Sequence, residues 1–205
     1  HFNILAYTEL KDASMSLIFT TILDNFLKGF DSPEVKVMAP NVIGACIDMY
    51  NTITKELLPT PEKAHYTFNL RDLSRVVQGV LGCTPKYIST PAELVVLWVH
   101  EARRVFQDRM TNPKDRTWFD DEVVGLLKTH FDSDWQDCFG QASPEETNAG
   151  GGLFYGDYIV PNADPKFYER QKDLEKLSAV MNEYLEDYNA QSNAPMPLIL
   201  FTDAM

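Results

Sequence analysis

Arg71 and Arg75 are the residues of this chain whose type and spacing best suit chemistry. They lie in the run Phe68-Asn69-Leu70-Arg71-Asp72-Leu73-Ser74-Arg75. Asn69 is a favourable helix cap and Asp72 suits a first turn, so a helix is expected to start at Leu70. Residues four apart share one helix face, which places both guanidinium groups together near that start. Positive charge there adds to the positive end of the helix dipole and costs helix stability. It makes sense where an anion such as a nucleotide phosphate docks at the helix start. The opposing reading is ion pairing with a carboxylate, Asp72 or Glu56, and the local sequence leaves both open.

No other constellation competes. The chain lacks GxxxxGK followed by Ser or Thr, GxGxxG, GxSxG and HExxH, so phosphate-cradling, dinucleotide, serine-hydrolase and zincin chemistry have no motif. Gly150-Gly151-Gly152 leads into Leu153-Phe154-Tyr155 with no lysine to reach a phosphate, and reads as linker. The acidic run from Asp132 to Asp137 lacks the glycine and the twelfth-position glutamate of a calcium loop, and reads as a solvated turn. His65, His100 and His130 are scattered. His100 and Glu101, beside Arg103 and Arg104, read as surface charge pairing rather than an acid–base pair. Cys46, Cys83 and Cys138 show no CxxC spacing and read as reduced thiols of a cytosolic-type compartment, with no metal site. The net charge of −12 disfavours nucleic acid and anionic membranes as partners. Trp98, Trp118 and Trp135 accordingly read as core or interface anchors rather than base-stacking platforms. No apolar run is long enough to span a bilayer.

The elements that must position the arginines are helical. Met15, Ile18, Ile22 and Phe26 predict a helix over 11–28 with that face inward. Ser32-Pro33 opens a second region, with Val35, Met38, Val42, Cys46, Met49, Ile53 and Leu57 as its stripe. Pro40 either kinks that helix or marks a second start. Leu73, Val77 and Val80 continue the helix that begins at Leu70. Thr90-Pro91-Ala92-Glu93 is a capping box, opening a helix with Leu94, Trp98, Ala102, Val105 and Phe106 inward. Further helices are expected over 115–131, with Phe119, Val123, Leu126 and Leu127 inward, and over 165–189 as one long element. Residues 139–152 read as a polar, glycine-rich loop, 153–160 as extended. The apolar ends, 1–6 and 198–201, read as short strands, and they suggest a segment cut from a larger protein. The fold class expected is mainly α, with short strand remnants at the ends.

The stretches Leu57-Leu58-Pro59-Thr60-Pro61 and His65-Tyr66-Thr67-Phe68-Asn69-Leu70-Arg71-Asp72-Leu73-Ser74-Arg75-Val76 closely resemble the dynein heavy chain, in the small helical lid of its third AAA+ module. Leu97-Trp98-Val99-His100-Glu101-Ala102-Arg103-Arg104-Val105-Phe106-Gln107-Asp108-Arg109 resembles the next helix of the same lid. His1-Phe2-Asn3-Ile4-Leu5 resembles the last strand of that module's large domain. Tyr155-Gly156-Asp157-Tyr158 and Leu198-Ile199-Leu200-Phe201 resemble the lead-in to the fourth module. The resemblance has an axonemal flavour and divides the chain into 1–31, end of the large domain; 32–138, helical AAA+ lid; 139–152, linker; and 153–205, lead-in to the next module. It implies that Arg71 is a sensor II arginine reaching a nucleotide held by the large domain. Arg75, one turn on, is a weaker candidate for the same phosphates or for a structural ion pair. It further implies ATP or ADP, with Mg, in the intact module and no cofactor on this segment alone. The implied partners are neighbouring AAA+ modules, with microtubules reached through the intact motor. The implied location is the cytoplasm and cytoskeleton, in a cilium or flagellum axoneme. Walker and sensor I motifs would lie outside this chain, so no catalysis is expected from it. The alternative left open by the residues themselves is an autonomous helical protein-interaction module; a hydrolase lacks any catalytic constellation.

Overall fold

The computed structural model describes residues 2–6, 8, 10–148, 153–160 and 163–200. Helices dominate: α1 (Asp12–Leu27), α2 (Pro33–Lys36), α3 (Ala39–Glu56), α4 (Leu70–Val80), α5 (Pro91–Phe106), α6 (Pro113–Phe131), α7 (Trp135–Phe139), α8 (Pro144–Asn148) and α9 (Leu174–Gln191). The strands are β1 (Phe154–Gly156) and β2 (Glu169–Gln171), an antiparallel pair in which Tyr155 faces Arg170.

Helix starts follow the local chemistry read from the sequence. The Arg71 N–H donates to Asn69 Oδ1 at 2.9 Å, and the Asn69 N–H donates to Asp72 Oδ2 at 2.9 Å. Thr90 and Glu93 form the reciprocal box at α5. The Lys114 N–H donates to Asn112 Oδ1 at the head of α6. Each bond satisfies a backbone N–H that the helix itself leaves without a partner.

The core lies where α5 meets α3, α4, α2 and α7, with α1 and α6 flanking α3. Trp98 is fully buried, and its indole N–H donates to Cys46 Sγ at 3.2 Å, which removes the penalty of burying a free donor. Every position read as inward on α5 is buried, as are Leu73, Val77 and Val80 on α4.

One open choice is settled and four readings change. Pro40 is a second start: it lies in the first turn of α3, after α2 has ended, because its ring cannot continue the preceding turn. The buried face of α1 is Met15, Leu23 and Leu27, while Ile18 and Ile22 are each 46% exposed. Apolar residues surround most of α1, so two stripes were available, and contact with α3 selected the other. The single helix over 165–189 is instead β2 followed by α9. The Asp173 carboxylate accepts the Lys176 N–H at 3.0 Å and starts the helix late, while residues 169–171 pair with β1. Residues 144–148 form α8, because Ser143 and Glu146 cap it reciprocally. Residues 2–6 carry no strand and are exposed, as are 198–199, and 198–200 likewise carry no strand. A strand needs a neighbour to complete its hydrogen bonds, and among the described residues these ends have none. His1 and residues 201–205 lie outside the described residues, as do 149–152.

Candidate functional site

The two arginines of α4 part company. The Arg71 side chain is exposed, and among the described residues it makes no hydrogen bond, ion pair or ring contact. Arg75 lies 3.9 Å from Asp72 Oδ1, with its side chain 58% exposed. Glu56, the other carboxylate considered, pairs with Lys55. The pairing reading therefore holds loosely for Arg75 and fails for Arg71. An uncompensated guanidinium remains at the positive end of a capped helix, where an anion finds both charge and dipole.

A third arginine, from outside the helix, explains the separation. Arg109, just beyond α5, places Nη1 3.1 Å from Asp72 Oδ1. Its Nη2 donates to the carbonyls of His65 and Thr67 at 3.1 and 3.2 Å. Its guanidinium lies 4.8 Å from the Phe68 ring centroid, and the Arg109 carbonyl accepts from His65 Nε2 at 2.9 Å. The chain entering α4 is thus clamped to the end of α5. Asp72, 4% exposed, is matched by a cation 37 residues away in sequence, so local spacing could not reveal it. The one available signal was a buried-face carboxylate in a short helix that otherwise offered it only flexible neighbours.

Residues 42–142 match the AAA+ lid domain family. The whole chain is 40% identical over 216 aligned positions to dynein axonemal heavy chain 1 of Homo sapiens. It is 37% identical to dynein axonemal heavy chain 3 and 36% to dynein axonemal heavy chain 6 of the same organism, again over its full length. The chain belongs to the dynein heavy chain family, through its AAA+ lid domain. It spans 5% of the length of each of these relatives.

Within this dynein lid, His100 and Glu101 are not a surface pair. The Glu101 side chain is fully buried. Its Oε2 accepts from Arg104 Nε and Nη2 at 2.9 and 2.7 Å, and its Oε1 accepts from the Tyr168 hydroxyl at 2.5 Å. His100 Nδ1 lies 2.7 Å from the Leu153 carbonyl. A carbonyl only accepts, so Nδ1 donates to it, and Nε2 lies 3.2 Å from Tyr168 Oη. Desolvation holds His100 below its ordinary range, against the nearby Glu101 charge. This cluster fastens the strand pair to α5. The mid-helix polar pattern suggested exposure because the covering residues, Leu153 and Tyr168, are more than fifty residues away.

Arg103, read as a surface residue, is also buried. It pairs with Asp120 at 2.8 Å, donates to Thr147 Oγ1 at 2.9 Å and lies 5.1 Å from the Trp135 ring, which ties α6, α7 and α8 to α5. A cavity of about 510 Å³ opens between α4, α5 and the strand pair; Arg75, Arg104, Tyr158 and Lys166 are among its lining, and Arg71 is not. Among the described residues no group of three His, Cys, Asp or Glu side chains could hold a metal ion. Nor, among them, is any helix long and apolar enough to cross a membrane.

Proposed function

We propose that this chain is the helical lid, with flanking segments, of the third AAA+ module of an axonemal dynein heavy chain, a microtubule motor ATPase, and has no catalysis of its own. Residues 32–138 are the lid, 1–31 the end of the module's large domain, 139–152 a linker and 153–205 the lead-in to the fourth module. Arg71 is the sensor II arginine, contacting the phosphates of ATP or ADP, with its Mg, held by the large domain. Arg75 is a secondary contact. The lid converts the nucleotide state of its module into rigid-body movement passed to neighbouring AAA+ modules, within a motor that walks on microtubules in a cilium or flagellum axoneme.

The observation that carries this reading is the exposed, unpartnered Arg71 guanidinium in the first turn of a capped helix whose one carboxylate is already engaged by Arg109. That arrangement fits an anion, because among the described residues no carboxylate competes for the charge. The exposed Leu17, Ile18 and Ile22 on α1 suit a face covered by a neighbouring part of the heavy chain. The test is Arg71→Gln in the heavy chain, read as the affinity of this module for an ATP analogue. A lost charge-assisted hydrogen bond predicts a weakening of roughly ten- to a hundredfold. Unchanged affinity would reject the assignment.

A further inference from the structure

We propose that Arg109 is a positioning residue for the anion site at the start of α4, acting by occupying the Asp72 carboxylate so that Arg71 and the helix end meet an anion without an opposing charge. This inference rests on the reading of Arg71 just given. Asp72 is the one acidic residue of α4 and is almost fully buried, at the turn where an anion would dock. Left alone, its charge would oppose any anion drawn to Arg71 and would draw Arg75 inward, since a buried carboxylate requires a counter-charge. Arg109 answers it at 3.1 Å, closer than Arg75 at 3.9 Å.

The geometry suits arginine. One nitrogen of the guanidinium serves the carboxylate, the other serves the His65 and Thr67 carbonyls, and the flat face lies against Phe68. Asp72 Oδ2 at the same time accepts the Asn69 N–H, so the carboxylate cannot swing away from the helix start without uncapping it. Arg109 touches no bound anion in this scheme. It sets the local field and fixes the entry to the helix.

A purely mechanical clamp would show the same contacts, so the test must separate charge from scaffolding. The heavy chain, which carries the large domain that holds the nucleotide, is titrated with an ATP analogue at this module, with amide exchange over 65–72 followed by mass spectrometry as a second readout. Arg71→Gln is expected to weaken binding roughly ten- to a hundredfold. Arg109→Gln is expected to weaken it roughly three- to tenfold, and adding Asp72→Asn to that variant is expected to restore it to within about twofold of wild type, because the charge needing an answer is gone. Arg109→Lys keeps the charge with fewer bonds; it should hold affinity within about twofold while exchange over 65–69 quickens, and it serves as the folded comparison should the glutamine variant lose structure. Wild-type affinity in Arg109→Gln, or no recovery on adding Asp72→Asn, overturns the assignment. Unchanged affinity in Arg71→Gln overturns the reading of Arg71 itself, and this inference with it.

Discussion

Gly79 offers the sharpest test of how the lid holds its following segment, because two physical effects predict opposite signs. It lies in the last turn of α4, where replacing glycine by alanine ordinarily stabilises a helix by about 0.5–1 kcal/mol. A Cβ there would stand 1.9 Å from Glu101 Oε2 and 2.1 Å from its Cδ. Glu101 cannot step aside cheaply. Its side chain has no solvent exposure, and its oxygens are held by Arg104 and Tyr168. Displacing it pulls a fully buried carboxylate away from its half-exposed partner Arg104, and a buried charge left unpaired costs about 3–5 kcal/mol. After the helix gain is subtracted, Gly79→Ala should destabilise the chain by about 2–4 kcal/mol. Urea denaturation followed by circular dichroism measures this directly. In a Glu101→Ala background the clash is absent, and the same substitution should be neutral or stabilising. A Gly79→Ala chain as stable as wild type, or equal costs in the two backgrounds, would show that Glu101 is not held against α4.

The remaining expectations concern the core, a histidine and the thiols. Leu73→Ala should cost about 2–5 kcal/mol and Trp98→Ala about 3–5, since both are fully buried; a loss under half a unit in either would put that residue on the surface. Burial first, against the raising effect of Glu101, holds His100 below its ordinary value of 6.5. The folded state therefore prefers the neutral ring. That contribution is complete above the unfolded value and is lost as pH falls from there through the folded value. Denaturation midpoints should drop with acidification in this window, and His100→Gln should flatten the slope; an unchanged slope argues against a buried neutral His100. Burial pushes the Cys46 and Cys83 thiols up to about 12, while Cys138 is only partly buried. Iodoacetamide mapped by mass spectrometry should mark Cys138 first, and early labelling of Cys46 would contradict its place beneath Trp98.

The helices of the lid were legible because their instructions are local. Asn69 with Asp72, Thr90 with Glu93, and Asn112 each satisfy a helix end within three residues, and the stripes of α4, α5 and α6 repeat at helical spacing. The proposed anion site was half legible. The sequence put Arg71 and Arg75 on one helix start, and there its information stopped, because the choice between a free and a paired guanidinium belongs to side chains that arrive from elsewhere.

The sequence alone thus determined the helical class, the caps, the central helix α5 and the candidate arginines. It also pointed to the kinship with dynein heavy chains, through the resemblance carried by strings such as Phe68-Asn69-Leu70-Arg71-Asp72. Tertiary structure decided which face of α1 is inward, that 169–171 pairs as a strand instead of extending α9, that Glu101 and Arg103 are core residues, and that Asp72 answers to Arg109. The physical reason is common to all four. Burial and charge pairing depend on which segment covers a residue, and here the covering segments lie about 15 to 70 residues away, beyond the reach of any helical or strand period.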